Sequence, residues 1–383
     1  MSGIARAGRA VVTANDAVAL AVVLARTQVI ACYPITPQTL IVERLAEFCA
    51  GREDVEFANL ESEHSMFGFA IAAARTGVRA FTATSSQGLL YAHEQLHRAS
   101  RERVPLVAVN VNRSVFAPWS LEPDLSDSLA QRDTGWIQLY CSTAQEVLDS
   151  VLLAYRLAES VLVPALVCFE GFLLSHTSEV VDVPTQAVVD RFLPPFRPPP
   201  EWLLDPSSPH VFSGVPSPAA YDGFQRNVAD ALAEAQRLLP GLAAELEAAF
   251  GRRVVGALEL SGNPEAATAL VTMGTIGDTA RELVDEDGED IRLVRVHAYR
   301  PFPGRELAAA LAGARDIVVI DRAAAFGALA PLGADVRSLG IDATDVICGV
   351  GGTDVTPDTL RWAIRQAQIE HVRSEPVWAP VEV

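Results

Sequence analysis

The chain has 383 residues, of which 50% are hydrophobic and 20% charged, and its formal net charge is −18. This length predicts two domains, and the composition is that of a packed globular protein. The acidic balance argues against nucleic acids, anionic membranes and other acidic proteins as partners of this chain.

Localisation signals and cysteine motifs point to the cytoplasm. The first ten residues lack the apolar segment of a signal peptide, and no apolar run approaches the roughly 20 residues of a membrane span. The five cysteines form no C-x-x-C motif, so we expect buried thiols in a reducing compartment, and neither an iron–sulfur cluster nor a zinc ribbon on this chain.

Strand and helix patterns alternate through the first half of the chain. Predicted strands cover residues 29–33, 55–57, 78–84, 105–111 and 163–170. Predicted helices cover 16–26, 36–49, 62–75 and 85–101, and another starts at a capping box after Thr143. Asn15 and Thr36 are the expected caps of the first two helices. This alternation predicts a mostly parallel sheet with helices on both faces.

Prolines crowd residues 193–218 and predict an extended connector, because proline fixes the backbone and donates no hydrogen bond. A helical stretch over 221–250 follows, and then a second α/β unit. Its predicted strands cover 269–273, 291–296, 317–321 and 346–348, and its predicted helices cover 277–284, 304–311 and 357–369. The expected fold class is α/β, with two doubly wound domains at 1–192 and 256–383 joined by a connector at 193–255.

Three short polar segments follow apolar runs, at the predicted carboxyl ends of strands. They are Tyr33-Pro34-Ile35-Thr36-Pro37, Glu61-Ser62-Glu63-His64 and Asn112-Arg113. Open α/β sheets build their ligand sites at this edge. Together the segments offer a hydroxyl, a carboxylate and a guanidinium, which are enough to hold a cofactor and an anionic substrate side by side.

At these residues the chain resembles the alpha subunit of the thiamine-diphosphate-dependent 2-oxoacid:ferredoxin oxidoreductases, the pyruvate:ferredoxin oxidoreductase group. The matching stretches include YPITPQTLIVERLAEF (33–48), ESEHSMFGFAIAAARTGVRAFTATSSQGL (61–89), VNVNRSVFAPWS (109–120), DSLAQRDTGW (127–136), FLPP (192–195) and RPFP (300–303). The resemblance implies that residues 1–192 form a pyrimidine-binding thiamine diphosphate domain, and that residues 256–383 form a transketolase C-terminal-like domain.

The resemblance also implies site roles. Glu63 would accept a hydrogen bond from the pyrimidine ring of the cofactor, Arg113 would hold the substrate carboxylate, and the Thr36 hydroxyl would reach the substrate. The cofactor-binding set would comprise Glu63, Pro34, Ile35, Ser85, Ser86 and Gln87. Structural interpretations stand beside these roles: Glu63 as an acid complementing a helix dipole, Arg113 as a solvated loop residue, and Thr36, Ser85 and Ser86 as helix caps. Whether Glu61 or Glu63 faces the ring stays open.

The implied reaction is the coenzyme A-dependent oxidative decarboxylation of a 2-oxoacid, giving an acyl-CoA and CO2. The Gly-Asp-Gly start of a diphosphate motif is absent from the sequence, so thiamine diphosphate would be shared with a beta subunit that binds Mg²⁺. Gamma and delta-type subunits would carry iron–sulfur clusters, with ferredoxin or an NAD-linked flavin subunit as acceptor, in a dimer of heteromers. Pyruvate is the default substrate, and branched-chain or aromatic 2-oxoacids such as phenylglyoxylate are the alternatives.

A rival hypothesis comes from His93-Glu94-Gln95-Leu96-His97, which matches the H-E-x-x-H pattern of zinc peptidases. The pattern lacks the third histidine of the longer H-x-x-G-x-x-H form, and Glu122 is the conceivable distal ligand. The stretch also fits the resemblance, which places a helix of this kind against the cofactor pocket. We therefore assign no metal to this chain.

Overall fold

The computed structural model describes residues 7–285, 290–369 and 374–381 of the chain. Over these residues the strands form a seven-stranded sheet, a six-stranded sheet and a two-stranded ribbon. The predicted α/β class with mostly parallel sheets is confirmed. No helix within the described ranges is long and apolar enough to cross a membrane.

Six strands of the first sheet run parallel, and a seventh joins them from the second half of the chain. In spatial order they are β12 (Ala298–Arg300), β6 (Ile137–Tyr140), β7 (Ala165–Glu170), β5 (Val107–Asn112), β4 (Ala80–Thr84), β2 (Val29–Cys32) and β3 (Glu56–Asn59). The chain passes from β2 to β3 on one side and returns to β4 on the other. This reversal beside β2 opens a crevice at the carboxyl ends of the strands.

Helices cover both faces of this sheet, and an antiparallel ribbon flanks it. The helices are α1 (Ala14–Leu24), α2 (Thr39–Cys49), α3 (Glu63–Ala74), α4 (Ser86–Tyr91), α5 (His93–Arg101), α6 (Ser126–Leu129), α7 (Ala144–Val161) and α8 (Gln186–Phe192); the ribbon pairs β1 (Gly8–Val12) with β8 (Glu179–Val183). The core is built from the buried strands and the nearly all-buried face of α7. All five cysteines are buried and free, as the sequence predicts.

Two predicted caps are wrong. Thr13, not Asn15, caps α1, in a capping box with Asp16, and Asn15 lies inside the helix, where its amide donates to the carbonyl of Pro37 at 3.0 Å. Helix α2 begins at Thr39, three residues after Thr36. Helical backbone is disfavoured at Thr36 because a proline follows it. The first hydrogen-bonded turn instead starts from the carbonyl of Ile35.

The connector packs along the surface of the first domain. It contains one short 3₁₀ turn, Pro200–Trp202, and the carbonyl of Trp202 accepts a hydrogen bond from Arg75 at 3.1 Å. The long helix α9 (Pro218–Phe250) follows; Ser217 caps it, and it packs against α7. The predicted boundaries at 192 and 255 stay a prediction.

The second sheet is parallel except for one edge strand. Its strands, in spatial order, are β15 (Val377–Trp378), β14 (Thr344–Ile347), β13 (Asp316–Asp321), β10 (Thr268–Met273), β11 (Ile291–Val296) and the antiparallel β9 (Leu258–Gly262). Its helices are α10 (Ile276–Asp285), α11 (Gly304–Leu311), α12 (Pro331–Ser338) and α13 (Pro357–Ile369), with a 3₁₀ turn at Val350–Gly352. Thr356 caps α13 by accepting the backbone N–H of Thr359.

Two buried carboxylates face each other at the start of α12. Asp321 accepts the backbone N–H groups of Leu332 and Gly333, and Asp345 accepts that of Ala330 at 2.6 Å. Burial raises the pKa of Asp345 to about 6, and burial with the neighbouring Asp345 raises the pKa of Asp321. The pair therefore holds protons more tightly when folded than when unfolded.

This pair predicts a pH dependence of stability. Because the folded pKa of Asp345 lies above its unfolded value, its contribution to stability is complete below pH 4 and is lost as the pH rises through about 6. Thermal unfolding of wild type and Asp345→Asn at pH 5 and pH 7.5 measures it. We expect the unfolding temperature of the wild type to fall further between pH 5 and pH 7.5 than that of the variant. Equal losses would contradict the coupling.

Candidate active site

The three polar segments converge at the carboxyl edge of the first sheet. Arg113 follows β5, and its guanidinium donates from Nη1 to the carbonyl of Thr36 at 2.6 Å and from Nη2 to Oε1 of Gln87 at 2.5 Å. The arginine is therefore held between the segment after β2 and the start of α4. Only 3% of Arg113 is exposed, so it is not the solvated loop residue of the structural interpretation. Its buried Nε atom has no hydrogen-bond partner in the described part of the chain.

Glu63 is the first residue of α3, which Ser62 caps through its hydroxyl. Its side chain is 7% exposed, and no described residue donates a hydrogen bond to its carboxylate. A carboxylate at a nearly buried position that accepts no hydrogen bond from its own chain is available to accept one from a bound molecule. Glu61, by contrast, is exposed and accepts a hydrogen bond from the Ser65 hydroxyl at 2.7 Å. Of the two acids, the structure turns Glu63 inward.

Gly88 in α4 creates the space that Glu63 occupies. A Cβ atom on this glycine would lie 2.5 Å from Oε1 of Glu63 and closer still to Oγ1 of Thr84. Both atoms therefore face the same turn of α4, and among the residues that the structure describes neither the Thr84 hydroxyl nor that of the adjacent Ser85 has a hydrogen-bond partner. The carboxylate and two orphaned hydroxyls lie at one end of β4, where polar groups of a ligand would satisfy them.

Ser86 and Gln87 form the first turn of α4, directly after β4 and Ser85. Ser86 has a φ of 48°, in the left-handed region that a non-glycine residue rarely adopts, and its hydroxyl donates to the carbonyl of Ser114 at 2.7 Å. Such backbone is maintained only where its surroundings impose it, and these positions cluster at functional sites. The turn thus links the Glu63 side of the site to the Arg113 side.

The remaining predicted residues lie at the rim. Pro34 and Thr36 are exposed and Ile35 is half-buried. The Thr36 carbonyl accepts a hydrogen bond from Arg113. The Thr36 hydroxyl does not have the capping role expected from the sequence. The Trp119 ring lies 5.5 Å from the Arg113 guanidinium, and it stacks on Phe116 in an exposed loop.

Asp127 is the site residue that sequence reasoning missed. It stands in a charged segment with Asp124, Arg132 and Asp133, and its side chain is fully buried. Burial raises the pKa of Asp127 to about 6, although hydrogen bonds from Asn110 and Asn112 counteract it. The signal available in the sequence was its position in DSLAQRDTGW, one of the matching stretches.

The second domain contacts the loop between β5 and α6, which precedes Asp127. The backbone N–H of Leu125 donates to the carbonyl of Arg322 at 3.0 Å, and the N–H of Ser114 donates to the carbonyl of Glu122 at 3.1 Å. A Cβ on Gly352 would collide with the Glu122 side chain, so the glycine turn lies directly against the loop. The loop between β5 and α6 is therefore shaped by both domains.

The H-E-x-x-H segment brings its two histidines together. Their Nε2 atoms are 3.2 Å apart, and Nδ1 of His93 bonds Oε1 of Gln131 at 2.6 Å. Glu94 lies instead toward His64, at 3.4 Å. Within the part of the chain that the structure describes, no group of three or more His, Cys, Asp or Glu side chains could hold a metal ion.

Fold and geometry define an α/β protein with a cluster of polar and charged side chains at the carboxyl ends of its parallel strands, the edge at which open α/β sheets build ligand sites. Residues 20–239 match the model of the pyruvate flavodoxin/ferredoxin oxidoreductase thiamine diphosphate-binding domain, and residues 266–360 match pyruvate:ferredoxin oxidoreductase core domain II. The chain belongs to the family of 2-oxoacid:ferredoxin oxidoreductase alpha subunits. This membership confirms the resemblance and displaces the zinc hydrolase hypothesis.

Relatives of known assignment match nearly the whole chain. Pyruvate synthase subunit PorA of Methanothermobacter thermautotrophicus is 40% identical over 94% of this chain and 95% of its own length. Ketoisovalerate oxidoreductase subunit VorA of Pyrococcus horikoshii is 41% identical over 90% of each. The 2-oxoglutarate:ferredoxin oxidoreductase of Magnetococcus marinus shares the fold, with a TM-score of 0.73 at 19% identity, over 95% of this chain and 65% of that one.

Proposed function

We propose that this chain is the alpha subunit of a complex that oxidatively decarboxylates a 2-oxoacid with coenzyme A, and that its own contribution is half of a thiamine diphosphate site and the substrate-carboxylate site. The observation that carries the proposal is the Glu63 side chain, which is 7% exposed, has no donor to its carboxylate among the described residues, and lies beside the Thr84 hydroxyl at Gly88. A carboxylate in this position can accept a hydrogen bond from a ring nitrogen that carries a proton.

The residues present fit the pyrimidine half of the cofactor. Glu63 and the hydroxyls of Thr84 and Ser85 would supply an acceptor and hydrogen-bonding groups, and Gly88 keeps side-chain atoms away from the carboxylate. When bound, thiamine diphosphate supplies a carbon nucleophile and a sink for the electrons released on decarboxylation. Glu63 holds the proton at the pyrimidine ring nitrogen, which is general base assistance delivered at a distance from the substrate.

On the other side of the site, Arg113 binds and orients the substrate carboxylate. Burial lowers the pKa of this guanidinium and Asp127 counteracts the shift, but an arginine stays charged in proteins. Its Nε, which has no partner among the described residues, and the two Nη atoms already oriented by Thr36 and Gln87 present a fixed fork. Thr36 is exposed at the rim, and its hydroxyl would donate to the substrate oxygen.

The site is open on this chain, and a beta subunit would complete it. Elements that carry site residues also expose large apolar side chains, among them Leu40, Phe69, Tyr91 and Trp119. Exposed apolar residues around a site mark a surface that a partner covers. We assign the diphosphate and Mg²⁺ to that subunit, and the iron–sulfur clusters, the ferredoxin contact or an NAD-linked flavin subunit to the others.

Pyruvate and a branched-chain 2-oxoacid are the two candidate substrates, because the relatives named above include both a pyruvate synthase and a ketoisovalerate oxidoreductase subunit at similar identity. The test is to purify the complex from its native host and measure thiamine diphosphate, iron and CoA-dependent turnover of pyruvate, 2-oxoisovalerate and phenylglyoxylate. We expect bound cofactor and turnover of at least one acid. A complex without thiamine diphosphate would refute the proposal.

Arg113→Lys tests the carboxylate site. A lysine cannot donate to Thr36, Gln87 and a substrate carboxylate in the fixed geometry of the guanidinium. Loss of one charge-assisted hydrogen bond, roughly 1.5–3 kcal/mol, predicts an increase of about tenfold or more in the KM for the 2-oxoacid. The KM for coenzyme A serves as the internal control and should stay within about twofold. An unchanged KM for the 2-oxoacid would place its carboxylate elsewhere.

A further inference from the structure

The buried carboxylate of Asp127 joins both sides of the site. Its Oδ2 accepts the backbone N–H of Ser86 at 2.9 Å and that of Arg113 at 3.2 Å, and its Oδ1 accepts the N–H of Ser128 at 2.7 Å. Two side-chain amides complete the set: Asn110 bonds Oδ2 at 2.9 Å and Asn112 bonds Oδ1 at 2.7 Å. One side chain thus receives five donors, two of which are the backbone N–H groups of Arg113 and of Ser86, the neighbour of Gln87 at the start of α4.

These donors have few alternatives. Ser86 and Arg113 leave β4 and β5 just where the sheet ladder ends, so their N–H groups need an acceptor inside the protein. Ser86 has left-handed backbone, and its N–H donates to the carboxylate of Asp127. The carboxylate therefore stabilises a turn that would otherwise relax.

Asp127 is itself held rigidly. The Ser128 hydroxyl lies between the amide of Asn112 at 2.7 Å and the hydroxyl of Tyr140 at 2.9 Å, and Tyr140 is buried in the core of the sheet. The carboxylate is thus fixed relative to β5 and β6. The fold therefore sets its distance from the substrate fork, which is formed by the three guanidinium nitrogens of Arg113.

We propose that Asp127 is the positioning residue that holds Arg113 and the Ser86–Gln87 turn in register, so that one buried carboxylate determines the geometry of the substrate fork. Asp127 contacts the backbone of Arg113 and acts through it. The part of this inference that concerns substrate binding rests on the function proposed above.

The variants Asp127→Asn and Asp127→Ala test it in the purified complex. Asparagine keeps one acceptor oxygen and can serve the partners of Oδ1 or those of Oδ2, but not both; alanine serves neither. The first readout is phenylglyoxal labelling of Arg113, measured by mass spectrometry against the buried Arg75 as internal reference. It reports the position of the guanidinium without requiring turnover. The second readout is the KM for pyruvate against kcat.

Asp149→Asn is the matched control. Asp149 is also buried, and burial also raises its pKa to about 6. It lies in α7 and pairs with Arg252, which follows α9, so the pair is outside the site. We expect Arg113 labelling to rise about threefold in Asp127→Asn and tenfold in Asp127→Ala, with a matching rise in the KM, and neither to change in Asp149→Asn.

The outcomes separate the two proposals. Labelling within twofold of wild type in Asp127→Asn, and in Asp127→Ala if that variant assembles, overturns the positioning role. Raised labelling in both variants, with an unchanged KM for a turned-over 2-oxoacid, supports the positioning role and instead contradicts the assignment of Arg113 to the substrate carboxylate. Raised labelling in Asp149→Asn to the same extent overturns the proposal, because the effect would then be a general loosening.

Discussion

Glu63→Gln should reduce turnover of the assembled complex by about 10²- to 10⁴-fold, the range that loss of a general base produces. The amide has nearly the shape of the carboxylate but carries no charge, and it cannot hold a proton at a ring nitrogen. Because no described residue donates to Glu63, the substitution breaks no internal hydrogen bond. We therefore expect subunit assembly and unfolding temperature to stay close to wild type, with the loss confined to chemistry.

Glu61→Gln is the control for this experiment, because Glu61 lies two residues away, is exposed and bonds only the Ser65 hydroxyl among the described residues. Turnover of that variant should stay within about twofold of wild type, as surface substitutions usually do. Steady-state assays of both complexes at saturating 2-oxoacid and coenzyme A give the comparison. If Glu61→Gln lost activity and Glu63→Gln kept it, the two acids would have to exchange roles.

Gly88→Ala should lower turnover by about 10²-fold, the cost that a misplacement of about 1 Å imposes on a positioned catalytic group. The added methyl group would lie 2.5 Å from Oε1 of Glu63 and also against the Thr84 hydroxyl, so the carboxylate must move. Alanine favours helix more than glycine does, so α4 itself should not be weakened. The measurement is turnover together with thiamine diphosphate retained after gel filtration.

Gly241→Ala provides the matched substitution, since Gly241 lies within α9 and an added Cβ would meet nothing within 4 Å. We expect full turnover and a stability gain of up to about 1 kcal/mol from that variant. Full turnover in Gly88→Ala as well would show that Glu63 is not held where the structure places it.

The sequence predicts most of the parallel strands, though not β6 or β15, because each predicted strand is a short apolar run flanked by a turn or a cap. The strand over Ile291–Val296 and the helix over Gly304–Leu311 agree with prediction to the residue. Strand β12 was not predicted, because three residues become a strand only by pairing with β6 of the other domain. The predicted single helix over 85–101 is divided at Ala92 into α4 and α5, which local propensity does not reveal.

For the site, the sequence indicates the residue types and their strand-end positions, but not which side chains are buried. Asp127 illustrates the limit: its neighbours in the chain are polar, and only the fold brings Asn110, Asn112 and the turn at Ser86 around it. The same holds for the choice between Glu61 and Glu63, which depends on how α3 faces α4. Burial is a property of the packed elements and not of the local pattern.

Deuterium exchange at the thiazolium C2 position of thiamine diphosphate, in the intact complex with wild-type or Glu63→Gln alpha subunit, tests the central claim most directly. It reports proton removal assisted by Glu63 without requiring substrate, coenzyme A or an electron acceptor. We predict exchange in the variant slower by about 10²-fold or more at equal cofactor occupancy. Exchange at the wild-type rate in the variant would contradict the account.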